Sequence, residues 1–262
     1  MINSFGLALG SGGARGLAHL GVVKAIDKLG IKISGVSGSS IGALVGAWYA
    51  LYGNIDELEE IAMSADWRFL SGILISPTVK GGLIDSKKIE KFLRGHFGNS
   101  RFQDLKIPLR IVATDLQSGE AVIFAEGDLV TAITASMCVP MIFKPIRIGE
   151  QILVDGGISM PIPVKLAKSL SKNKVIAVNL DGKDILEPIK NKLSNVVMVS
   201  QQSVNVIRYN LARYEADQAD IVVEPRTGIF GLVGWKEFLN AKGVIDSGEE
   251  AFMDSWSKFN RL

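Results

Sequence analysis

Ile33-Ser34-Gly35-Val36-Ser37-Gly38-Ser39-Ser40-Ile41-Gly42-Ala43-Leu44-Val45-Gly46-Ala47-Trp48-Tyr49-Ala50-Leu51-Tyr52-Gly53-Asn54 contains no charged residue, yet it does not read as one continuous element. The serines and glycines of its first half break it into three parts: a strand over Ile31–Val36, a turn over Gly38–Gly42 and an apolar helix from about Ile41 to Tyr52. Such a helix is about 18 Å long, short of the ~30 Å of a bilayer's hydrocarbon, so it reads as a buried core helix rather than a membrane span. The same order stands just upstream. Phe5–Leu9 is a short apolar strand, Gly10–Gly16 a glycine-rich loop, and Leu17–Leu29 a helix with Leu17, Leu20, Val23 and Ile26 at helical spacing, capped by Gly30. Two successive β-loop-α units with short connections predict an α/β fold whose parallel sheet is covered by helices.

Further strands are expected at Leu109–Ala113, Ala121–Phe124, Gln151–Val154, Val175–Asn179 and Ile221–Val223. Helices are expected at Asp56–Ser64, Ser86–His96, Leu129–Met137 and Val164–Leu170, with a long one inside Asn191–Ala219. No internal repeat, low-complexity tract or Pro/Ser-rich linker divides the chain, which predicts a single domain over residues 1–262.

Composition bounds the function. Hydrophobic residues make up 47% and charged residues 21% of the 262, enough to bury a core. Lys plus Arg at 29 against Asp plus Glu at 27 leaves +2, too little to collect nucleic acid or an anionic membrane by charge alone. Cys138 is the only cysteine, so an internal disulfide and a cysteine-built zinc site are excluded. The first residues have no basic flank and turn glycine-rich at once, unlike a secretory signal; a cytoplasmic protein is expected, peripheral at a membrane at most. Nothing calls for a cofactor or metal.

Three motifs carry chemistry. Gly38-Ser39-Ser40-Ile41-Gly42 fits G-x-S-x-G between strand and helix, where small flanks let a strained turn lift a serine hydroxyl into the open. A serine capping the helix is the plainer alternative. Gly10-Ser11-Gly12-Gly13-Ala14-Arg15-Gly16 would bare backbone N–H groups toward a phosphate or an oxyanion. Its spacing misses G-x-G-x-x-G, no acid lies between Asp27 and Asp56 to hold a ribose, and the Lys-Ser/Thr of a P-loop is absent, so nucleotide binding recedes. Val154-Asp155-Gly156-Gly157 places an acid at a strand end, readable also as a turn. The histidines then narrow the choice. Only His19 and His96 exist, both before Asp155, so a Ser-Asp-His triad in the α/β-hydrolase order is excluded, and a carboxylate acting directly on Ser40 is the economical base.

Together with Ala113-Thr114-Asp115-Leu116 and Ala135-Ser136 before Val139-Pro140, these motifs resemble the patatin-like phospholipase family, over Phe5 to about Val164. The resemblance implies a three-layer α/β/α sandwich with a mostly parallel sheet and a Ser–Asp dyad. Carried over, Ser40 is the nucleophile and Asp155 the base, with Gly38, Gly42, Gly156 and Gly157 flanking them. The oxyanion hole falls to Gly12, Gly13, Ala14 and Arg15. Ser11 departs from the commoner run of three glycines, and Ser159–Val164 from an asparagine-rich stretch. The expected activity is hydrolysis of phospholipid or lysophospholipid esters through an acyl-enzyme. A non-catalytic binding protein of the same fold, a thioesterase and a serine peptidase are the alternatives. Phe69–Ile75 and Ile229–Trp235 are candidate acyl-binding walls or membrane-contact loops, with core packing equally open, whereas Arg208 and Arg213 are expected on a solvated helix face.

Overall fold

Alternation along the strands decides how the layers stack. Phe5, Leu7 and Leu9 join one apolar cluster while Ala8 joins another, and Ile176 and Val178 part from Val175 and Ala177 in the same way. Both faces of the sheet are therefore buried, each against its own helices. The computed structural model describes residues 4–64, 84–140, 142–186, 196–227 and 240–261. Its eight strands are β1 (Phe5–Leu9), β2 (Ile33–Ser39), β3 (Leu109–Asp115), β4 (Ala121–Phe124), β5 (Ile146–Ile148), β6 (Gln151–Asp155), β7 (Val175–Val178) and β8 (Ile221–Val223). The order is β5-β6-β3-β2-β1-β7-β8, with β4 on β3. From β3 to β8 the pairing is parallel; β4, β5 and β6 add an antiparallel corner.

One face is covered by α1 (Ala18–Lys28), α2 (Ile41–Tyr52), α3 (Asp56–Met63), α4 (Lys87–Phe97), α5 (Leu129–Ser136) and α8 (Ala241–Phe259). The other carries α6 (Val164–Leu170) and α7 (Val196–Ala216), through Val164, Ala167, Ala212 and Ala216. This is the expected three-layer arrangement. The apolar α2 is enclosed nearly throughout, as a helix hydrophobic all round must be. Among the described residues no helix is long and apolar enough to cross a membrane.

The register of β3 positions the site. Val36–Ser39 pair with Leu109–Val112, and Leu153–Asp155 pair with Asp115–Ala113. Because β4 occupies Ile111–Thr114, overlapping both stretches, β2 and β6 must share the opposite edge of β3, end to end. Ser39 and Asp155 thus lie beside consecutive residues, Val112 and Ala113.

The strand expected over Ile31–Val36 begins at Ile33 and continues to Ser39, so it delivers the chain directly to Ser40. Residues Gly13–Leu17 form a tight 3-10 turn before α1 starts at Ala18. Two elements are additional: the three-residue β5, and α8, which packs along α1 through two glycines. A Cβ on Gly21 would lie 1.8 Å from the Ile245 carbonyl oxygen, and one on Gly248 would lie 2.0 Å from that of Ala18. The backbones approach too closely for any side chain there. Gly248→Ala should therefore destabilise the fold by about 2 kcal/mol, whereas Gly95→Ala, in α4 with open space around its Cβ position, should stabilise it by roughly 0.5–1 kcal/mol. Urea denaturation of both variants checks the contrast.

Candidate active site

At the joint between β2 and α2 the chain turns within one residue. Ser40 sits at φ 56°, ψ −123°, and among the described residues it is the sole non-glycine with positive φ. Such a conformation costs about 1–3 kcal/mol and persists only where its surroundings enforce it. They do so at several points. The Ser40 N–H donates to Ser136 Oγ at 2.8 Å, and its carbonyl accepts from the Ala43 N–H at 2.9 Å. A Cβ at Gly38 would stand 2.4 Å from the Gly42 oxygen, and one at Gly42 2.2 Å from the Leu9 oxygen, which is why glycine flanks the serine on both sides. Although Ser40 occupies the N-cap position of α2, its hydroxyl caps nothing. It points instead to Asp155, donating to Oδ2 at 2.5 Å.

Asp155 is buried at the end of β6. Its Oδ1 accepts the Gly157 N–H at 2.8 Å, its own N–H donates to the Cys138 carbonyl at 2.9 Å, and its carbonyl accepts from Thr114 Oγ1. Ser136 ends α5 and Cys138 follows two residues later, so the C-terminal end of one helix grips the backbones of both Ser40 and Asp155. Burial pushes the Asp155 carboxyl up to about 6, opposed by the hydrogen bonds from Ser40 and Gly157 and by the positive charge of Arg208. That brings a carboxylate near the ~6.5 of a free imidazole. The histidines lie elsewhere. His19 is enclosed in α1, with burial lowering it to about 4; neutral, it donates from Nε2 to the Gly10 carbonyl at 2.8 Å. The His96 ring packs on Trp48 and Phe92.

The glycine loop leaves β1 beside this pair. Ser11 N–H donates to the Pro161 carbonyl, and Gly13 takes φ 57° with nothing near its Cβ position. Among the described residues no acceptor meets the N–H groups of Gly12, Gly13 or Ala14, whereas that of Arg15 is turned to the Gly12 carbonyl at 3.3 Å. These three amides are donors in a loop whose Ser11 lies against the Gly157 position of the Asp155 turn. The Arg15 side chain runs away from them, to the Leu180 carbonyl and to Asp181 at 2.6 Å.

The structure thus brings Ser40 and Asp155 together, with Gly38 and Gly42 packed tightly around the elbow and Gly156 and Gly157 around the acid; Gly12, Gly13 and Ala14 follow Ser11 in the adjoining loop, and the Arg15 guanidinium turns to Asp181. Arg213 is on a solvated face as expected, over the Tyr209 ring. Arg208, its side chain 34% exposed, also reaches inward to a bidentate pair with the buried Asp181. Helical spacing shows which residues share a face but not which buried acid waits opposite, and Asp181, three residues beyond a strand end, was the available sign. Ser136 had its sign in the Ala135-Ser136 motif. The apolar segments Phe69–Ile75 and Ile229–Trp235 lie outside the described residues.

Comparisons with known proteins bear on the family and the fold. Residues 7–168 match the family described as patatin-like phospholipase. An uncharacterized NTE family protein of Mycobacterium tuberculosis is 39% identical over 178 residues, 68% of this chain and 49% of that one. A lysophospholipase of Candida glabrata is 30% identical over 71% of this chain and 11% of its own length. The chain thus spans about half the length of the mycobacterial relative and far less of the fungal one. Among solved structures, VipD from Legionella pneumophila covers 98% of this chain and 67% of its own, with TM-score 0.67 and 14% identity, a likeness of fold.

Two measurements check the site's electrostatics and its scaffold. The Asp155 carboxyl carbon should titrate by NMR with a midpoint near 6 rather than near the usual ~4. The native state then holds a proton that the unfolded chain releases between about pH 4 and 6, so this group's contribution to stability is present at low pH and lost as pH rises through 6. Asp155→Asn, neutral throughout, should accordingly be more stable than wild type above pH 6, by about 2 kcal/mol in urea denaturation. Ser136→Ala, which orphans the buried Ser40 N–H, should cost about 1–3 kcal/mol.

Proposed function

The chain belongs to the patatin-like phospholipase family, and from that premise we propose that it is a lipid acyl hydrolase working through Ser40 and Asp155. The observation that carries the reading is the hydrogen bond from Ser40 Oγ to Asp155 Oδ2, 2.5 Å long, on a carboxylate that burial has made basic. In the first half-reaction Asp155 takes the Ser40 proton as Oγ bonds to the ester carbonyl carbon. The carbonyl oxygen becomes an oxyanion held by the amides of Gly12, Gly13 and Ala14. Collapse breaks the ester bond, and the leaving alkoxide receives the proton from Asp155. Water then repeats the sequence on the acyl-enzyme with the same base, releasing the fatty acid and restoring Ser40.

That the Candida glabrata relative is a lysophospholipase makes a monoacyl phospholipid the first substrate to test. An aspartate as the sole acid–base group suits an ester better than a peptide, because a leaving alkoxide asks less of a general acid than a leaving amine. The near-neutral net charge of +2 points to lipid contact through apolar surface rather than electrostatic capture.

Turnover of lysophospholipid, acyl-thioester and peptide substrates tests the reading. Wild type should hydrolyse the lipid ester fastest, and Ser40→Ala and Asp155→Asn should each lower it by about 10³-fold or more. Near-wild-type turnover by Ser40→Ala would overturn the assignment, and a preference for the thioester or peptide would change the substrate class. Because Asp155 must be ionised to act, kcat/KM should climb with pH through about 6 and then level off.

A further inference from the structure

Pro161-Ile162-Pro163, just after the acid turn, offers a single backbone N–H, that of Ile162, because proline has none. Glu215, half-buried near the end of α7, accepts it at Oε2 over 2.6 Å. The carbonyl of that same peptide group, Pro161 C=O, accepts the Ser11 N–H at 2.8 Å. Carboxylate, peptide group and glycine-loop amide thus form one continuous chain of hydrogen bonds. The packing along it is close. A Cβ on Gly10 would lie 3.2 Å from Ile162 Cγ1 and 3.4 Å from the Pro161 oxygen, and one on Gly157 would lie 2.6 Å from Ser11 Oγ. Neighbouring ties fix the rest of the segment: Met160 N–H donates to the Gly156 carbonyl at 2.9 Å, Ser37 Oγ donates to the Pro163 carbonyl at 2.8 Å, and the Ser159 hydroxyl meets that of Thr114.

We propose that Glu215 is a positioning residue of the reaction: through the Pro161–Ile162 peptide it holds Ser11, and with it the following amides of Gly12, Gly13 and Ala14, in place for the oxyanion. The proposal rests on the Ser40–Asp155 reading above. Its physical basis is cooperativity along the chain of hydrogen bonds. A peptide whose N–H donates to a carboxylate is polarised, and its carbonyl becomes a stronger acceptor. The Ser11 N–H is then held more firmly, one residue before the first oxyanion amide. Donors aimed before the charge develops lower the barrier, so a loosened loop loses rate more than affinity. Partial burial pushes the Glu215 carboxyl up to about 7, against the pull of the Ile162 N–H and of Lys165, so it is ionised on the alkaline side of neutrality. A cavity of about 200 Å³ adjoins Glu215, lined also by Met160, Leu211 and Gln218, and gives room for a substituted side chain.

Kinetics on the alkaline side, where Asp155 and Glu215 are both ionised, separate this role from structural support. Glu215→Met keeps the length of the side chain and removes the acceptor. Its kcat for ester hydrolysis should fall about tenfold with KM near wild type, and its Ser11 amide proton should move upfield by NMR. Glu215→Gln, whose amide oxygen can still accept from Ile162, should recover most of the rate and of the shift. Should Glu215→Met fail to fold by thermal melting, Glu215→Asp, one methylene shorter, takes its place with the same expectation. If either kcat or the Ser11 resonance of the folded variant matches wild type while Ser40→Ala is inactive, the relay is wrong and the dyad stands. A loss that Glu215→Gln fails to recover overturns the relay equally. If Ser40→Ala is as active as wild type, the dyad fails and the kinetic role of Glu215 falls with it.

Discussion

Strand β3 hydrogen-bonds two other strands end to end along a single edge: β2 runs parallel to it as far as Ser39, and β6 arrives antiparallel and stops at Asp155. The partners of those two residues, Val112 and Ala113, are neighbours in the chain. Backbone hydrogen bonding thereby brings Ser40 and Asp155, 115 positions apart in sequence, close together before any side chain is considered. At that junction β2 cannot continue, because β6 occupies its path. The chain must leave the sheet, and it does so at Ser40 through a positive φ that glycine neighbours and the Ser136 hydroxyl make tolerable. The strained elbow and the short Ser–Asp contact are two results of one sheet register.

The same packing sets the chemistry. An aspartate in water, near pKa 3.9, is a poor acceptor for a serine proton. Enclosed at the strand end, with its carboxylate hydrogen-bonded among the described residues by Ser40 and Gly157 alone, it rises to about 6. In the proposed dyad, desolvation takes the part that a histidine plays in a triad, without a third residue. The Arg208 charge and the hydrogen bonds from Ser40 and Gly157 act against that rise, while the Asp181 charge adds to it.

Much of this was legible in the residue order. The glycine loop, the elbow and the acid turn each follow an apolar strand, and the two histidines both precede the acid, which removed the familiar base from consideration. The repeated β-loop-α order gave the parallel sheet. Three things escaped. Strand β5 has only three residues, too few for alternation to show. Helix α8 carries its buried residues Ala241, Val244, Ile245, Gly248 and Phe252 at helical spacing, but two of its inward contacts depend on glycine, whose packing value lies in an absent side chain. Arg208 was placed on a solvated face because charge on a long helix normally seeks water; only the fold supplies Asp181 opposite it. Position along one strand or helix can be read from sequence, whereas partners brought together by distant segments cannot.

The central claim is that Asp155 activates Ser40. The most direct measurement is the intact mass of the protein after brief exposure to a fluorophosphonate, followed by peptide mapping. One phosphonyl adduct, located on Ser40 and formed far more slowly in Asp155→Asn, is the result this structure predicts. An unmodified protein, or an adduct on another residue, would contradict it.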